Sequence, residues 1–337
     1  MLKKELGYEV RKILFGKDRG IKKEVITGYA TSFDGTQIWF RKVSPVKKID
    51  DKTPPLVLSN GIGTTIRYWR YVEDYISDIT DVVVWDYRGH GRSGAPKSED
   101  VSMSALAKDM KAVCDELEIK EGIFGGFSMG VQVILEFFRL FPNMVKGLIP
   151  ALGPYEHPAK YFLDFPLMEI ILKITAKLVF FNPQRAQKIW SRLMTVSLAF
   201  RLGKVVGLIS ERLFFLNPLL AHADDFTEYF ENLRKMDITV FFKMALESQA
   251  HSAEDVLPKI SVPTLVIIGE NDIFTPKYVP LKMAEKIKNS EVLMLPKGSH
   301  GGLVEHAELV CLRIEKFIRD HFSSQSRNDQ VNGTKQQ

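Results

Sequence analysis

Five short, almost wholly apolar runs recur along the chain, at 55–59, 81–85, 122–127, 145–151 and 264–269, and segments of helical period lie between them. Few architectures satisfy that alternation. Parallel strands cannot be joined by a tight turn; each needs a crossover, usually a helix, and strands covered on both faces read as continuous apolar runs. The pattern predicts an α/β fold with a mostly parallel central sheet covered by helices. Ahead of it, between Glu24 and Lys42, two runs rich in Val, Ile, Thr, Tyr and Phe flank Phe33-Asp34-Gly35-Thr36, the signature of a β-hairpin with an Asp-Gly turn.

One interval breaks the alternation. From 155 to 259 there is helical period without a strand signal, punctuated by Asn182-Pro183 and Asn217-Pro218, and eleven of the chain's 22 Phe fall there. The organisation expected is a core in two parts, 1–154 and 260–322, an all-helical insertion at 155–259 between them, and a disordered polar tail at 323–337. Leu2, Leu6, Val10 and Leu14 suggest a short amphipathic helix at the N-terminus. Within the insertion Glu169, Lys173 and Lys177 mark one polar stripe amid Leu, Ile and Phe, a wide apolar surface that the domain body, a substrate channel or a membrane surface could cover.

Composition removes several classes. A net charge of +5 is the small difference between 46 basic and 41 acidic residues, without the concentrated basic stripe of a nucleic-acid binder. No uncharged run reaches the roughly 20 apolar residues of a membrane span. Cys114 and Cys311, 197 positions apart, form neither a disulfide framework nor a cysteine-rich metal site, and the basic N-terminus lacks the apolar core of a secretory signal, so a cytoplasmic protein is expected. Scattered histidines and the lack of a phosphate-loop pattern predict no metal and no cofactor.

The sharpest chemical signal is Gly126-Phe127-Ser128-Met129-Gly130, which directly follows an apolar strand and directly precedes a helical run at 131–140. So abrupt a turn strains the central residue, needs small neighbours two positions away, and projects Ser128 at the carboxyl edge of the sheet. The new helix begins beside it, so the Met129 amide can face a reacting oxygen. A serine hydroxyl needs a base and a carboxylate to orient that base. His300 lies in a Gly-rich loop between a short strand and the last helix, and Asp272 lies in the turn after the strand at 264–269, at the same edge as Ser128. Glu270 in the same turn and Glu156 after the preceding strand compete with Asp272 for the carboxylate role.

With this strand-elbow-helix and the order Ser, Asp, His, the sequence resembles the α/β-hydrolase fold family over residues 24–155 and 258–322. The resemblance implies that the loop Ser59-Asn60-Gly61-Ile62-Gly63 supplies a second oxyanion donor, the Ile62 amide, with Asn60 where the family usually has His. It also implies that Trp85-Asp86-Tyr87-Arg88-Gly89-His90-Gly91-Arg92-Ser93-Gly94 is scaffold, and that the insertion forms a lid. A Ser nucleophile argues against the dehalogenase and epoxide hydrolase members, which use a carboxylate there. The expectation is a serine hydrolase that cleaves a small-molecule carboxylic ester with an apolar acyl group through an acyl-enzyme, with Phe180, Phe181, Phe214 and Phe215 of the lid against the acyl chain. A thioesterase or carbon-carbon hydrolase on the same triad, a non-catalytic ligand-binding receptor, and weak contact with a membrane surface stay open.

Overall fold

The computed structural model describes residues 21–48, 50, 52–200 and 231–323. Its strands are β1 (Lys23–Thr31), β2 (Gln37–Pro45), β3 (Leu56–Ser59), β4 (Val82–Trp85), β5 (Gly122–Phe127), β6 (Val145–Ala151), β7 (Thr264–Gly269) and β8 (Ser290–Leu295). They form one eight-stranded sheet in the order β1-β2-β4-β3-β5-β6-β7-β8. The predicted hairpin is longer than its sequence signal and joins this sheet: β2 pairs with β1 and with β4 antiparallel, and all other pairings are parallel. The helices, in chain order, are α1 (Arg70–Ile76), α2 (Met103–Glu116), α3 (Met129–Leu140), α4 (Met168–Phe181), α5 (Pro183–Phe200), α6 (Ile238–Ala250), α7 (Tyr278–Lys286), α8 (Gly302–Glu305) and α9 (Ala307–Phe322).

Successive strand residues face opposite sides of the sheet, and each side is covered. Val57, Val83, Trp85, Phe124, Leu148 and Val266 pack with Leu106 and Met110 of α2, Ile134 and Phe137 of α3, and Met283 of α7. Leu56, Leu58, Val84, Ile123, Ile149 and Ile267 pack with Ile76 of α1 and with Ile314 and Phe317 of α9. Burial on both sides is why these strands read as unbroken apolar runs.

From β3 the chain moves to β4 on one side and then returns to β5 on the other, so the order reverses between β3 and β5. At such a switch point the connections leaving the two strand ends diverge and open a crevice at the carboxyl edge. Ser59 stands level with Gly126, and Phe127 with Ala151, so the loops that follow β3, β5 and β6 emerge together.

The insertion leaves and rejoins the core at one place. Glu156 bridges Ser252, and the amides of His157 and Ala253 donate to the carbonyls of His251 and Tyr155. Between them, α4, α5 and α6 share a small core of Ala176, Val179, Ile238 and Phe242. Asn182 separates α4 from α5, its side chain accepting from the Arg185 amide while Pro183 starts the new helix. The opposite stripe of α4, including Ile170, Ile174, Leu178 and Phe181, is exposed together with Leu167 just before the helix, so the domain body does not cover it. Among the described residues no helix is long and apolar enough to cross a membrane. The N-terminal amphipathic segment and the tail from 324 onward lie outside the described residues.

Candidate active site

β5 ends at Phe127 and α3 begins at Met129, so Ser128 alone makes the turn, with φ 55° and ψ −120°. That backbone is uncommon for any residue with a side chain and is typically found where tight surroundings enforce it. Packing leaves no room for neighbours larger than glycine. A Cβ on Gly126 would lie 2.2 Å from the Gly130 carbonyl oxygen, and one on Gly130 would lie 2.7 Å from the carbonyl oxygens of both Ser59 and Asn60. α3 therefore starts hard against the end of β3, with its first amides at the crevice.

Ser128 Oγ lies 2.9 Å from Nε2 of His300, and Nδ1 of His300 lies 2.9 Å from Oδ2 of buried Asp272. The carboxylate only accepts, so Nδ1 carries the proton and Nε2 accepts from the serine hydroxyl. The other carboxylate oxygen of Asp272 accepts the amides of Phe274 and Thr275, which fixes the side chain in its own turn. The His300 loop is pinned by buried Glu305, which accepts from the Ser299 amide and hydroxyl. Rings of Phe274 and Phe127 stand 4.7 and 5.1 Å from the imidazole, and Phe162 of the insertion packs on Phe274 at 4.5 Å. Of the competing carboxylates, Glu270 accepts the Lys297 amide, while Glu156 accepts the hydroxyls of Tyr161 and Ser252 at the base of the insertion.

The loop after β3 lies across the crevice from the elbow. A Cβ on Gly61 would be 3.1 Å from that of Ser128. Gly61 to Thr64 form a turn in which the Gly61 carbonyl accepts the Thr64 amide at 3.3 Å and its hydroxyl at 2.8 Å. Such a turn does not use the amide of its second residue, here Ile62. Asn60, at the usual His position, donates to the Trp85 carbonyl at 2.7 Å.

The segment after β4 braces this loop. Arg88, fully buried, makes a bidentate pair with Asp109 of α2 at 2.7 and 2.6 Å and reaches Asp34 of the hairpin turn at 2.9 Å. Asp86 accepts amides from Ile66 and Arg92, and its burial pushes the carboxyl up to about 6. Ser93 donates to the Asp86 carbonyl and accepts from the Trp39 amide. His90 is buried, its Nδ1 beside the Arg88 carbonyl and its Nε2 accepting the Gly63 amide at 3.2 Å. Burial holds its imidazole down at about 4, a neutral ring occupied by backbone partners and not a base for Ser128.

Ser128, Asp272 and His300 are thus brought together from three sheet-edge loops, with Gly61 packed against Ser128 from the loop after β3. Phe180 and Phe181 are not brought to them: they sit exposed on the last turn of α4, Phe181 at 89%. The reason is that α4 turns Ala176 and Val179 inward against α6. Phe214 and Phe215 lie outside the described residues.

The family model described as alpha/beta hydrolase fold matches residues 54–307. The chain belongs to the α/β-hydrolase fold family. Two curated relatives named "Putative carbamate hydrolase RutD", from Stutzerimonas stutzeri and Pseudomonas syringae pv. syringae, are 24% and 28% identical; the matches cover 82% and 81% of this chain and 95% of each relative. Among solved structures, an esterase from Exiguobacterium antarcticum superposes with a TM-score of 0.67 at 19% identity, covering 87% of this chain and 100% of that one. A thermophilic esterase from Thermogutta terrifontis gives 0.65 at 21%, covering 88% and 100%. At these identities the superpositions establish the α/β-hydrolase fold and leave the chemistry to the site.

Proposed function

We propose that the chain is a serine hydrolase that cleaves a carboxylic ester with an apolar acyl group through an acyl-enzyme. The observation that carries this reading is the unbroken hydrogen-bonded line from Ser128 through His300 to Asp272 at a strained strand-to-helix turn. Ser128 Oγ attacks the carbonyl carbon as its proton passes to Nε2 of His300, and Asp272 stabilises the imidazolium through Nδ1. The carbonyl oxygen gains negative charge, held by the Met129 and Ile62 amides. Nε2 gives its proton to the departing alkoxide. Water then loses a proton to Nε2, attacks the acyl carbon, and releases the acid as Ser128 regains its hydrogen.

The apolar acyl preference is supported by the rings of Phe127 and Phe274 beside the imidazole and of Phe162 behind Phe274, and no longer by Phe180 and Phe181. A carbamate is a second reading, favoured by the name given to the curated relatives; its carbonyl differs by a nitrogen in place of the acyl carbon and would be attacked by the same serine. A thioester would also suit the same constellation. A cytoplasmic workplace is supported by Cys114 and Cys311, buried on opposite faces of the sheet where they cannot pair. The exposed α4 stripe, with Lys173 and Lys177 beside it, supports weak contact with a membrane surface.

A fluorophosphonate probe tests the core of the reading. It should label Ser128 and fail to label Ser128→Ala, and His300→Ala should label several orders of magnitude more slowly. Labelling of Ser128→Ala at the wild-type rate would sink the mechanism.

A further inference from the structure

The peptide between Gly61 and Ile62 carries the proposed oxyanion donor on one side and the Gly61 carbonyl on the other. Because a trans peptide is planar, whatever holds the carbonyl also aims the opposing N–H. Thr64 holds it twice, through its amide at 3.3 Å and its hydroxyl at 2.8 Å, and Thr64 is itself buried. The residue before Thr64 is gripped from both sides. The Gly63 amide donates to Nε2 of His90 at 3.2 Å, and the Gly63 carbonyl accepts from Nδ2 of Asn232 at 2.8 Å.

Asn232 belongs to the helical insertion, 169 residues from Gly63. The insertion sits so close here that a Cβ on Gly63, whose φ is +71°, would lie 2.5 Å from Leu233 and 3.3 Å from Phe241. Nor is Asn232 on a loose strand of chain. From α5, Trp190 donates to the Leu233 carbonyl at 2.6 Å, Ser191 to the Arg234 carbonyl at 3.2 Å and Gln187 to the Met236 carbonyl at 3.1 Å. α5 thus holds the segment that holds Gly63.

We infer that Thr64 and Asn232 are positioning residues for the oxyanion donor: Thr64 fixes the plane of the Gly61–Ile62 peptide, and Asn232 makes that plane depend on the insertion being docked. This inference rests on the serine hydrolase reading and adds that the insertion completes the oxyanion site. Hydrolysis then proceeds at full rate only with the insertion seated, because an undocked Asn232 releases the turn that aims the Ile62 amide.

The test uses the full-length protein with p-nitrophenyl acetate, a phenylboronic acid as a tetrahedral mimic, and melting temperature. Removing an oxyanion donor outright costs roughly 100- to 1000-fold in kcat, so loosening one should cost about tenfold. Asn232→Ala and Thr64→Val should each lower kcat by about that factor, change KM by less than about twofold, and weaken the boronate by the same factor as kcat/KM. Thr64→Ser, which keeps the hydroxyl, should recover most of the loss. Asn232→Asp, which sets an acceptor against the Gly63 carbonyl, should be at least as impaired as Asn232→Ala. The inference fails if folded Asn232→Ala keeps wild-type kcat and boronate affinity, or if only KM changes, which would make Asn232 a pocket wall. If wild type neither hydrolyses the ester nor is labelled by fluorophosphonate at Ser128, the hydrolase reading and this inference fall together; a labelled, active wild type with an unaffected Asn232→Ala removes the inference alone.

Discussion

Oδ2 of Asp272 lies 2.9 Å from Nδ1 of His300, while Oδ1 of the same carboxylate is committed to the amides of Phe274 and Thr275. One side-chain group thereby anchors its own turn and sets the tautomer of the imidazole. Replacement by Asn keeps the shape and can offer an N–H where the carboxylate only accepted, favouring the wrong tautomer. Asp272→Asn should lower kcat by about 10³- to 10⁴-fold, less than Ser128→Ala, with the fold intact. Glu270→Gln and Glu156→Gln should keep most activity; steady-state ester kinetics on the three variants decide the assignment, and a near-neutral Asp272→Asn would refute it.

The buried Arg88 links three elements through Asp109 and Asp34. Removing it strands Asp109 without its counter-charge in a site that water does not reach. Arg88→Met should cost about 3 to 5 kcal/mol in urea unfolding, whereas Arg88→Met with Asp109→Leu should recover a large part of that loss. Additive losses would show that the two charges act independently.

His90 is expected to contribute to the protein's acid sensitivity. Its folded value is held at about 4 against an ordinary 6.5, because burial disfavours the charged ring. Between those values the unfolded chain binds a proton that the folded chain refuses. The stability conferred by keeping His90 neutral is therefore complete above about pH 6.5 and is lost as pH falls toward 4. A gap of this size corresponds to about 3 kcal/mol. Compared with wild type, His90→Gln should lose about 2 to 3 kcal/mol less between pH 7 and pH 4.5 in chemical denaturation. Parallel curves for the two proteins would place the acid sensitivity elsewhere.

These relationships divide by how far along the chain they reach. The sheet, the elbow at Ser128 and the loops carrying Asp272 and His300 were legible because each is written in a few consecutive residues: an apolar run, a small-x-Ser-x-small turn, a polar loop after a strand. The sequence also reads His90 as scaffold, and the structure buries it among backbone partners. Its bond to Gly63 was not legible, and neither was that of Asn232, because both depend on which loops the crevice brings together. The only local hint was Gly63 itself, a glycine directly after the proposed donor. The exposure of Phe180 and Phe181 is hidden from the sequence for a related reason. Phe enrichment reports that apolar surface exists, whereas the helix phase that turns Ala176 and Val179 inward decides which surface faces the site.

Acyl-chain preference tests that distinction. Phe162 belongs to the insertion and packs on Phe274, whose ring stacks on His300, so it stands one ring away from the reacting centre. Phe181 is on the insertion too, but 89% exposed. If the insertion sets acyl selectivity through what it brings to the triad, Phe162→Ala should shift the preferred length across p-nitrophenyl esters of two to sixteen carbons while retaining acetyl ester turnover. Each methylene that gains or loses a dry contact is worth about 0.8 kcal/mol, so a shift of two carbons should alter relative kcat/KM by about tenfold. Phe181→Ala should leave the profile unchanged. Melting temperature must accompany the kinetics, because trimming a packed ring can also cost about 3 to 5 kcal/mol of stability. A profile that moves with Phe181→Ala and stays fixed in a well-folded Phe162→Ala would return the acyl chain to the outer stripe of α4 and remove the Phe162–Phe274 pair from the pocket.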